Sequence, residues 1–228
     1  YSMTGNTKII AQALQKGIAQ RTGQCDIARL KEVKPEEWLN HDLIGIGSPV
    51  WGSCPTLNVI YHIKNLPPTV KGKHAFFYCT HGVLPGRCII RGVQPLQEQG
   101  LTIIGWKDWY CGASLPSHAK PWFTDGHPDA IDIAEAESFG AAMVEHSRKI
   151  SRGVTDIIPT LPSPEASDQI YGVGHPFLFT EMASGGQPSG APSAPPETAR
   201  DMKDEGQPSG PTLETSTMEY VMRIEGMP

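Results

Sequence analysis

The first seven residues of the chain place hydroxyl side chains around a glycine, directly ahead of a helical pattern. Ser2, Thr4 and Thr7 can donate hydrogen bonds to anionic oxygens, and Gly5 lets the backbone approach a ligand closely. Backbone N–H groups at the start of the following helix have no partner within that helix and attract anions. The pattern predicts a loop that holds a phosphate group. The plainer alternative is an ordinary helix N-terminus capped by Thr4 or Asn6.

The absence of a lysine from the loop indicates which kind of phosphate group it would bind. It contains no lysine before Lys8, which distinguishes it from the Gly-Lys-Ser/Thr loops of nucleoside triphosphate hydrolases. A cradle of neutral donors suits the phosphate monoester at the end of a cofactor. A second glycine-rich fingerprint of the kind that holds an adenine dinucleotide is not visible in the sequence, so the pattern favours a mononucleotide.

Composition excludes several classes of protein. Residues 1–152 carry 16 Lys and Arg against 13 Asp and Glu, whereas residues 153–228 carry 3 against 11, within a net charge of −5. Neither part shows the basic stripe of a nucleic-acid-binding protein. No apolar run approaches the roughly 20 residues of a spanning helix, and no signal peptide is visible. Five scattered cysteines without a Cys-x-x-Cys pair argue against a disulfide framework or a zinc site and favour reduced thiols in the cytoplasm.

Strand, loop and helix signals alternate strictly through the first 150 residues. Strands are predicted at 25–30, 42–47, 74–79 and 101–106, and helices at 5–22, 56–65, 87–99 and 129–150. This alternation predicts an α/β fold with a doubly wound parallel sheet and helices on both faces. A phosphate loop normally follows a strand, so we expect the first strand to be missing and an apolar slot to open in the sheet.

The chain changes character after Arg152. We interpret residues 1–152 as one domain and residues 153–217 as a Pro/Gly/Ser-rich acidic linker that is largely disordered. An apolar island at 171–179 is expected to dock on the domain. Residues 218–228 are interpreted as the start of a further module.

Three loops fall at the carboxyl ends of the predicted strands, where open parallel sheets bind ligands. Residues 2–7 resemble the FMN phosphate loop of flavodoxin, and residues 47–52 and 80–82 are similar to its two flavin-flanking loops. The resemblance covers roughly the first 150 residues and is most specific in the phosphate loop. It implies that FMN is bound by Ser2, Met3, Thr4, Gly5, Asn6, Thr7, Pro49, Val50, Trp51, Gly52, Thr80, His81 and Gly82.

Several of these residues have a plainer interpretation. Trp51 either stacks on the flavin ring or packs beside two prolines. His81 offers its backbone to the flavin or is a surface histidine, and Cys79 is more simply a buried thiol than a nucleophile. The second flanking loop also departs from short electron-carrier flavodoxins, because it lacks their Gly-Asp and aromatic residues.

More narrowly, the chain resembles the flavodoxin half of proteins that fuse such a domain to a ferredoxin-type iron–sulfur domain. This resemblance implies FMN-dependent electron transfer to or from an iron–sulfur partner or domain. One alternative is a flavin-dependent reductase of quinone or another small acceptor. A second alternative is a flavodoxin-like scaffold that has lost its cofactor. No catalytic acid or base and no metal ligand is assigned from the sequence.

Overall fold

The computed structural model describes residues 1–113, 120–171 and 221–224, which form an α/β structure. Its helices are α1 (Asn6–Thr22), α2 (Leu57–Lys64), α3 (Cys88–Glu98), α4 (Ala130–Ser151) and α5 (Pro164–Tyr171). Its strands are β1 (Asp26–Ala28), β2 (Leu43–Trp51), β3 (Cys54–Pro55), β4 (His74–His81), β5 (Thr102–Tyr110) and β6 (Val221–Ile224). Short 3₁₀ turns at Leu30–Glu32, Pro35–Asn40 and Pro68–Val70 complete the connections.

The main sheet has the strand order β1-β6-β2-β4-β5. Strands β2, β4 and β5 are parallel, with Leu43 opposite His74 and His74 opposite Thr102. Because these three strands run in one direction, their carboxyl ends meet at one edge of the sheet. The loops that follow β2, β4 and β5 therefore start side by side.

Helices cover the sheet on both faces, as the sequence predicts. On one face, α1 and α4 bury Leu14, Ile18 and Met143 against Phe76 and Tyr78. On the other face, α2 and α3 pack a cluster that contains Val59, Ile63, Ile89, Val93, Ile44, Ile46 and Phe77. Alternate residues of β2 and β4 thus enter opposite cores, which explains the continuous apolar runs in these strands.

Two glycines in β2 make room for aromatic rings on the neighbouring strand. A methyl group on Gly45 would lie 2.4 Å from the Phe76 ring, and one on Gly47 would lie 2.0 Å from the Tyr78 ring. Both rings are buried and each faces its glycine across the β2–β4 pair. The Gly-x-Gly spacing therefore serves packing within the sheet.

Two strands extend further than the sequence predicts. The strands predicted at 42–47 and 101–106 end too early, because β2 continues to Trp51 and β5 continues to Tyr110. Tertiary pairing explains both extensions: β3 forms an antiparallel hairpin with the end of β2, and β4 pairs with β5 as far as His81 opposite Tyr110.

Strand β6 fills the position where we expected a slot. It lies between β1 and β2 and is antiparallel to both, with Met222 opposite Ile27 and Gly45. Residues 218–228 are predicted to start a further module, and the four of them that the structure describes lie in the central sheet. Their backbone groups satisfy the inner edges of β1 and β2.

The folded domain also continues past the boundary predicted at residue 152. Ile157 and Ile158 pack against the core beside α1 and α4, and Leu161 and Tyr171 pack against the other core. Apolar side chains and helix α5 thus bind the first part of the predicted linker, residues 153–217, to the domain. Residues 172–217, which include most of the apolar island, lie outside the described residues.

Replacing Gly17 with alanine should destabilise the protein even though alanine favours helices. A methyl group there would lie 1.8 Å from the carbonyl oxygen of Glu137, because α1 and α4 touch backbone to backbone. Overpacking of this kind costs about 1–3 kcal/mol, which exceeds the gain of about 1 kcal/mol in helix propensity. Urea unfolding measures the difference, and Gln12→Ala on the exposed face of α1 is the control. A Gly17→Ala variant as stable as this control would contradict the close contact.

Candidate functional site

The predicted phosphate loop is a tight turn built around Ser2. The buried Ser2 Oγ accepts hydrogen bonds from the backbone N–H groups of Gly5, at 3.1 Å, and Lys8, at 3.3 Å. Gly5 is the N-cap residue of α1 with φ at 97°, in the left-handed region that favours glycine. Because Gly5 has no side chain, nothing from the N-cap position covers the first N–H groups of α1. The turn presents a helix N-terminus to one edge of the sheet.

Two of the three hydroxyl groups of this loop bond to other parts of the protein. Thr7 is buried, and its Oγ1 lies 2.7 Å from Thr80 Oγ1 at the end of β4. The hydroxyls of Ser2 and Thr7 thus have protein partners, which sequence reasoning missed because Thr80 is 73 residues away. Met3 and Thr4 are exposed.

Asn6 joins the phosphate loop to the segment that follows β5. Its side-chain Nδ2 donates a hydrogen bond of 3.1 Å to the carbonyl oxygen of Gly112. Together with the Thr7–Thr80 pair, this contact holds the start of α1 against the ends of two parallel strands. The interpretation of Asn6 as a simple cap is not supported, because no side-chain cap is present at this helix end.

The first flanking loop, Pro49 to Gly52, is the tip of the β2–β3 hairpin. Ser48 Oγ donates a hydrogen bond to the carbonyl of Pro49 and accepts one from Thr56 N–H, which fixes the base of the tip. Val50 pairs with Pro55 on the returning strand. Trp51 is 49% exposed, so its ring is open to a flat ligand or partner.

The second flanking loop, Thr80 to Gly82, places a buried histidine at the same edge. His81 Nε2 lies 2.9 Å from Asp108 Oδ2, and the His81 ring contacts Tyr110 with centroids 4.9 Å apart. Among the described residues, the buried Nδ1 of His81 has no hydrogen-bond partner. A buried imidazole nitrogen left in this state is suited to a ligand that supplies the missing partner.

Residues 120–127 form a further wall of the site, which the sequence analysis did not identify. The carbonyl oxygen of Gly82 accepts hydrogen bonds from Trp122 Nε1, at 2.7 Å, and Thr124 Oγ1, at 3.1 Å. Lys120 and Asp125 close this wall with an ion pair of 2.5 Å. The sequence signal was the aromatic pair Trp122-Phe123 in an otherwise polar loop.

The loops at the edge pack directly on one another. A methyl group on Gly86 would lie 2.5 Å from Ser53 Oγ, and one on Gly82 would lie 2.8 Å from Ala113. The loop after β4 therefore contacts both the β2–β3 hairpin and the segment after β5. Around them, Trp51, Tyr110 and Phe123 are exposed aromatic side chains, which we call the aromatic rim.

Helix α5 clamps the loop after β4. Arg87 Nε and Nη2 donate to the two carboxylate oxygens of Asp168 at 2.7 and 2.5 Å. This paired hydrogen bond raises the pKa of Arg87 and lowers the pKa of Asp168. The charge of Arg87 is thus paired with Asp168 of α5. This ion pair could not be predicted from the sequence, because the two residues are 81 positions apart.

The cysteines near the site are structural. All five cysteines of the chain are free. Burial raises the pKa of the Cys79 thiol well above its ordinary range and raises that of Cys111 to about 12. Both therefore stay protonated at neutral pH and are poor nucleophiles, in agreement with the interpretation of Cys79 as a buried thiol.

Helix α4 begins with a network of His127, Asp129 and Asp132. Asp129 caps the helix by accepting from the N–H groups of Ile131 and Asp132, and His127 Nδ1 lies 2.5 Å from Asp132 Oδ2. These three side chains are close enough to hold a cation. Because Asp129 and Asp132 accept backbone N–H groups at the helix start and His127 pairs with Asp132, the arrangement is explained by the helix start.

Comparison with known proteins supports the fold. No protein-family model matches the chain. The flavodoxin of Megasphaera elsdenii is 23% identical over 107 residues, which are 46% of this chain and 78% of that protein. A flavodoxin from the domain Archaea superposes with a TM-score of 0.51 at 19% identity, over 65% of this chain and 94% of the other. Two-electron reduced Megasphaera elsdenii flavodoxin gives a TM-score of 0.46 at 22% identity, over 61% and 95%.

The archaeal structure and the sheet topology together show that the fold is flavodoxin-like, as the sequence predicts. The predicted cofactor residues Ser2 to Thr7, Pro49 to Gly52 and Thr80 to Gly82 converge on the carboxyl edge of its sheet. Within the described residues, none of the helices combines the length and hydropathy needed to cross a bilayer.

The His127–Asp132 pair should make stability depend on pH. Its hydrogen bond raises the pKa of His127 above the ordinary value of a histidine. The stabilisation is therefore complete below the unfolded-state pKa and is lost as pH rises through the higher folded-state pKa. We expect His127→Gln to lower the melting temperature more at about pH 6 than at about pH 9.

Comparing the unaltered protein with the His127→Gln variant removes the opposite effect of His74, which both contain. Burial lowers the pKa of His74, so its contribution is lost as pH falls, but both proteins contain it. A difference in melting temperature that is constant across this range would contradict a protonated His127 in the folded state.

Proposed function

We propose that this protein binds FMN at the carboxyl edge of its sheet and transfers single electrons or electron pairs to or from an iron–sulfur partner. One observation carries the proposal. The helix N-terminus at Gly5, with its left-handed backbone, stands beside two further loops at the same sheet edge. A phosphate site adjoining two loops with an exposed tryptophan suits a cofactor that has a phosphate tail and a flat ring.

The residues present fit FMN. The phosphate would be held by the N–H groups at the start of α1 and by the exposed Thr4, while Ser2 and Thr7 keep the turn in shape. The ring would lie between the hairpin tip at Trp51 and the loop at Thr80 to Gly82. His81 supports this placement, because its buried Nδ1 has no partner among the described residues.

FMN, when bound, supplies the redox chemistry, and the protein supplies binding, orientation and electrostatics. The Thr7–Thr80 and Asn6–Gly112 contacts fix the phosphate end relative to the strand ends. The Arg87–Asp168 pair holds the loop after β4 and removes one free cation from the ring's surroundings. No proton transfer by a side chain is required for electron transfer.

The iron–sulfur partner is inferred from the sequence resemblance to flavodoxin–ferredoxin fusion proteins. The aromatic rim of Trp51, Tyr110 and Phe123 is compatible with it, since exposed apolar groups beside a redox cofactor favour a transient protein contact. The near-neutral charge of residues 1–152 indicates that such a contact would depend little on long-range electrostatic attraction.

Titration with FMN tests the cofactor. We expect the flavin fluorescence to be quenched at a stoichiometry of one, with weaker binding of riboflavin, which lacks the phosphate. Thr4→Ala should weaken FMN binding about 10- to 100-fold, the range expected for one hydrogen bond to a charged group. Thr22→Ala makes the same change at the far end of α1 and should leave binding unchanged.

Two results would overturn the assignment of FMN. Recovery of stoichiometric FAD from purified protein would show that the cofactor is a dinucleotide. Absence of any bound flavin, with no binding on titration, would favour the cofactor-free scaffold.

A reductase of small acceptors is the second candidate function, favoured by the aromatic rim. Tyr110 contacts His81 on one side and Phe123 on the other, which forms an aromatic surface beside the candidate ring site. A quinone would stack on such a surface. Rapid oxidation of a nicotinamide cofactor with a quinone acceptor, and slow reduction of a ferredoxin, would support the reductase over the electron carrier.

A further inference from the structure

Helix α2 carries two large apolar side chains on its exposed side. Leu57 is 86% exposed and Tyr61 is 73% exposed, and they lie one turn apart on the same side of the helix. Lys64 follows at the next turn and is also exposed. We call Leu57, Tyr61 and Lys64 the α2 stripe. The opposite side of the helix packs Val59 and Ile63 into the core, so α2 is held in place without the stripe.

The chain around the α2 stripe contains no acidic residue. Residues 43–97 include five Lys and Arg but neither Asp nor Glu. Of these cations, Lys64, Lys71 and Arg91 are exposed. Although residues 1–152 are close to neutral in total, the charge is therefore distributed unevenly, and this stretch is locally positive. Cations at contact distance select a partner by charge even where long-range attraction is weak.

Helix α5 demonstrates that the basic stretch can bind carboxylates. Asp168, through a paired hydrogen bond, and Glu165 raise the pKa of Arg87. Arg87 and, to a smaller extent, Arg91 lower the pKa of Asp168. An acidic segment of the chain is thus docked beside α3. No such pairing with a described residue occupies Lys64 at the end of α2.

The α2 stripe adjoins the candidate ring site through the β2–β3 hairpin. Strand β3 ends at Pro55, two residues before Leu57, and Cys54 pairs with Trp51 near the hairpin tip. Arg91 donates a hydrogen bond to Cys54 Sγ, which brings a cation of α3 to the same hairpin. A protein that covers the stripe would therefore also come close to Trp51 and to a ligand beside it.

We propose that the α2 stripe docks the iron–sulfur partner, and that this partner presents carboxylates around an apolar centre. Leu57 and Tyr61 supply the apolar contact, and Lys64 and Arg91 pair with the carboxylates. An exposed aromatic and an exposed aliphatic side chain flanked by charges form a typical anchor of a protein interface. The role of this contact in electron transfer rests on the proposed function, whereas the docking itself does not require flavin.

An anionic membrane offers the same two features, but the structure favours a protein. Two apolar side chains on a helix of eight residues are a small apolar face, whereas helices that lie in a membrane surface have an extended one. Such a pair is sufficient to anchor a protein contact, in which a few residues supply most of the binding energy.

Calorimetric titration of the full chain, without added flavin, with a small acidic ferredoxin tests the docking surface. The double variant Leu57→Ser/Tyr61→Ser should raise Kd at least about tenfold, because it removes both apolar anchors. Val154→Ser removes an exposed apolar side chain beyond the far end of α4 and should leave Kd unchanged. Failure of the unaltered chain to bind this ferredoxin, or equal Kd values for the double variant and the control, would overturn the proposal.

Charge reversal tests whether the partner is recognised by its carboxylates, and it leaves the apolar side chains in place if the double variant fails to fold. Lys64→Glu should raise Kd about three- to tenfold, because an attraction becomes a repulsion. Lys149→Glu makes the same change at an exposed position in the last turn of α4 and is the matched control. An equal Kd for these two variants would contradict an acidic partner at α2.

Carbodiimide cross-linking locates the contact without any substitution. This reagent joins lysine amines to carboxylates that touch them, so mass spectrometry should find ferredoxin peptides linked to Lys64. Links confined to lysines of α1 or α4 would place the partner on another face and overturn the proposal. Sedimentation with phosphatidylserine vesicles tests the membrane. Binding of the vesicles, lost in Lys64→Glu, without binding of ferredoxin would replace the protein partner with a membrane.

These measurements separate the docking surface from the proposed function. If the chain binds ferredoxin through the α2 stripe but does not bind FMN on titration, the proposed function fails and the docking surface stands. If the chain binds FMN but not ferredoxin, the docking surface is wrong and the assignment of the cofactor stands.

Discussion

The hydroxyl pair of Thr7 and Thr80 is the contact on which the geometry of the site depends. Both groups are buried, and a buried hydroxyl without a partner is costly, so the start of α1 and the end of β4 are held 2.7 Å apart at these atoms. The neighbouring parts of the carboxyl edge of the sheet lie within a few residues of that contact. The turn at Gly5 precedes Thr7 by two residues, and His81 follows Thr80 directly. Asn6, between Gly5 and Thr7, adds the link to the segment after β5.

Several different elements of the structure form the walls of the candidate site. The loop after β4 contacts all of these walls. The carbonyl oxygen of Gly82 accepts hydrogen bonds from Trp122 and Thr124. Gly86 lies against Ser53 of the hairpin, and Arg87 forms an ion pair with Asp168 of α5. A single loop that is braced on three sides can hold a flat ligand in one orientation with little reorganisation. Residues 82–87 of this loop contain no aromatic side chain. Here the aromatic side chains come from neighbouring segments.

The sequence predicted those features that are determined locally. Periodicity located helices α1 to α4 to within a few residues, and the convergence of three loops followed from strand direction alone. Features that depend on distant partners were not predictable. The extensions of β2 and β5, the Arg87–Asp168 pair and the buried role of Thr7 each require knowledge of a residue far away in the chain. Helix α5 was missed because its surroundings have the composition of a linker, although Ile157, Ile158 and Leu161 mark the apolar positions.

The direction of β6 is the least predictable feature and the most informative one. A strand that runs antiparallel between β1 and β2 can satisfy their backbone groups, but it cannot continue into the phosphate loop as a parallel strand would. Strand β2 is the element that both neighbours share, because Ile46 pairs with Val221 of β6 and the next residue, Gly47, accepts a hydrogen bond from the backbone nitrogen of Tyr1. The pairing of β2 therefore positions both the inner edge of the sheet and the start of the phosphate loop.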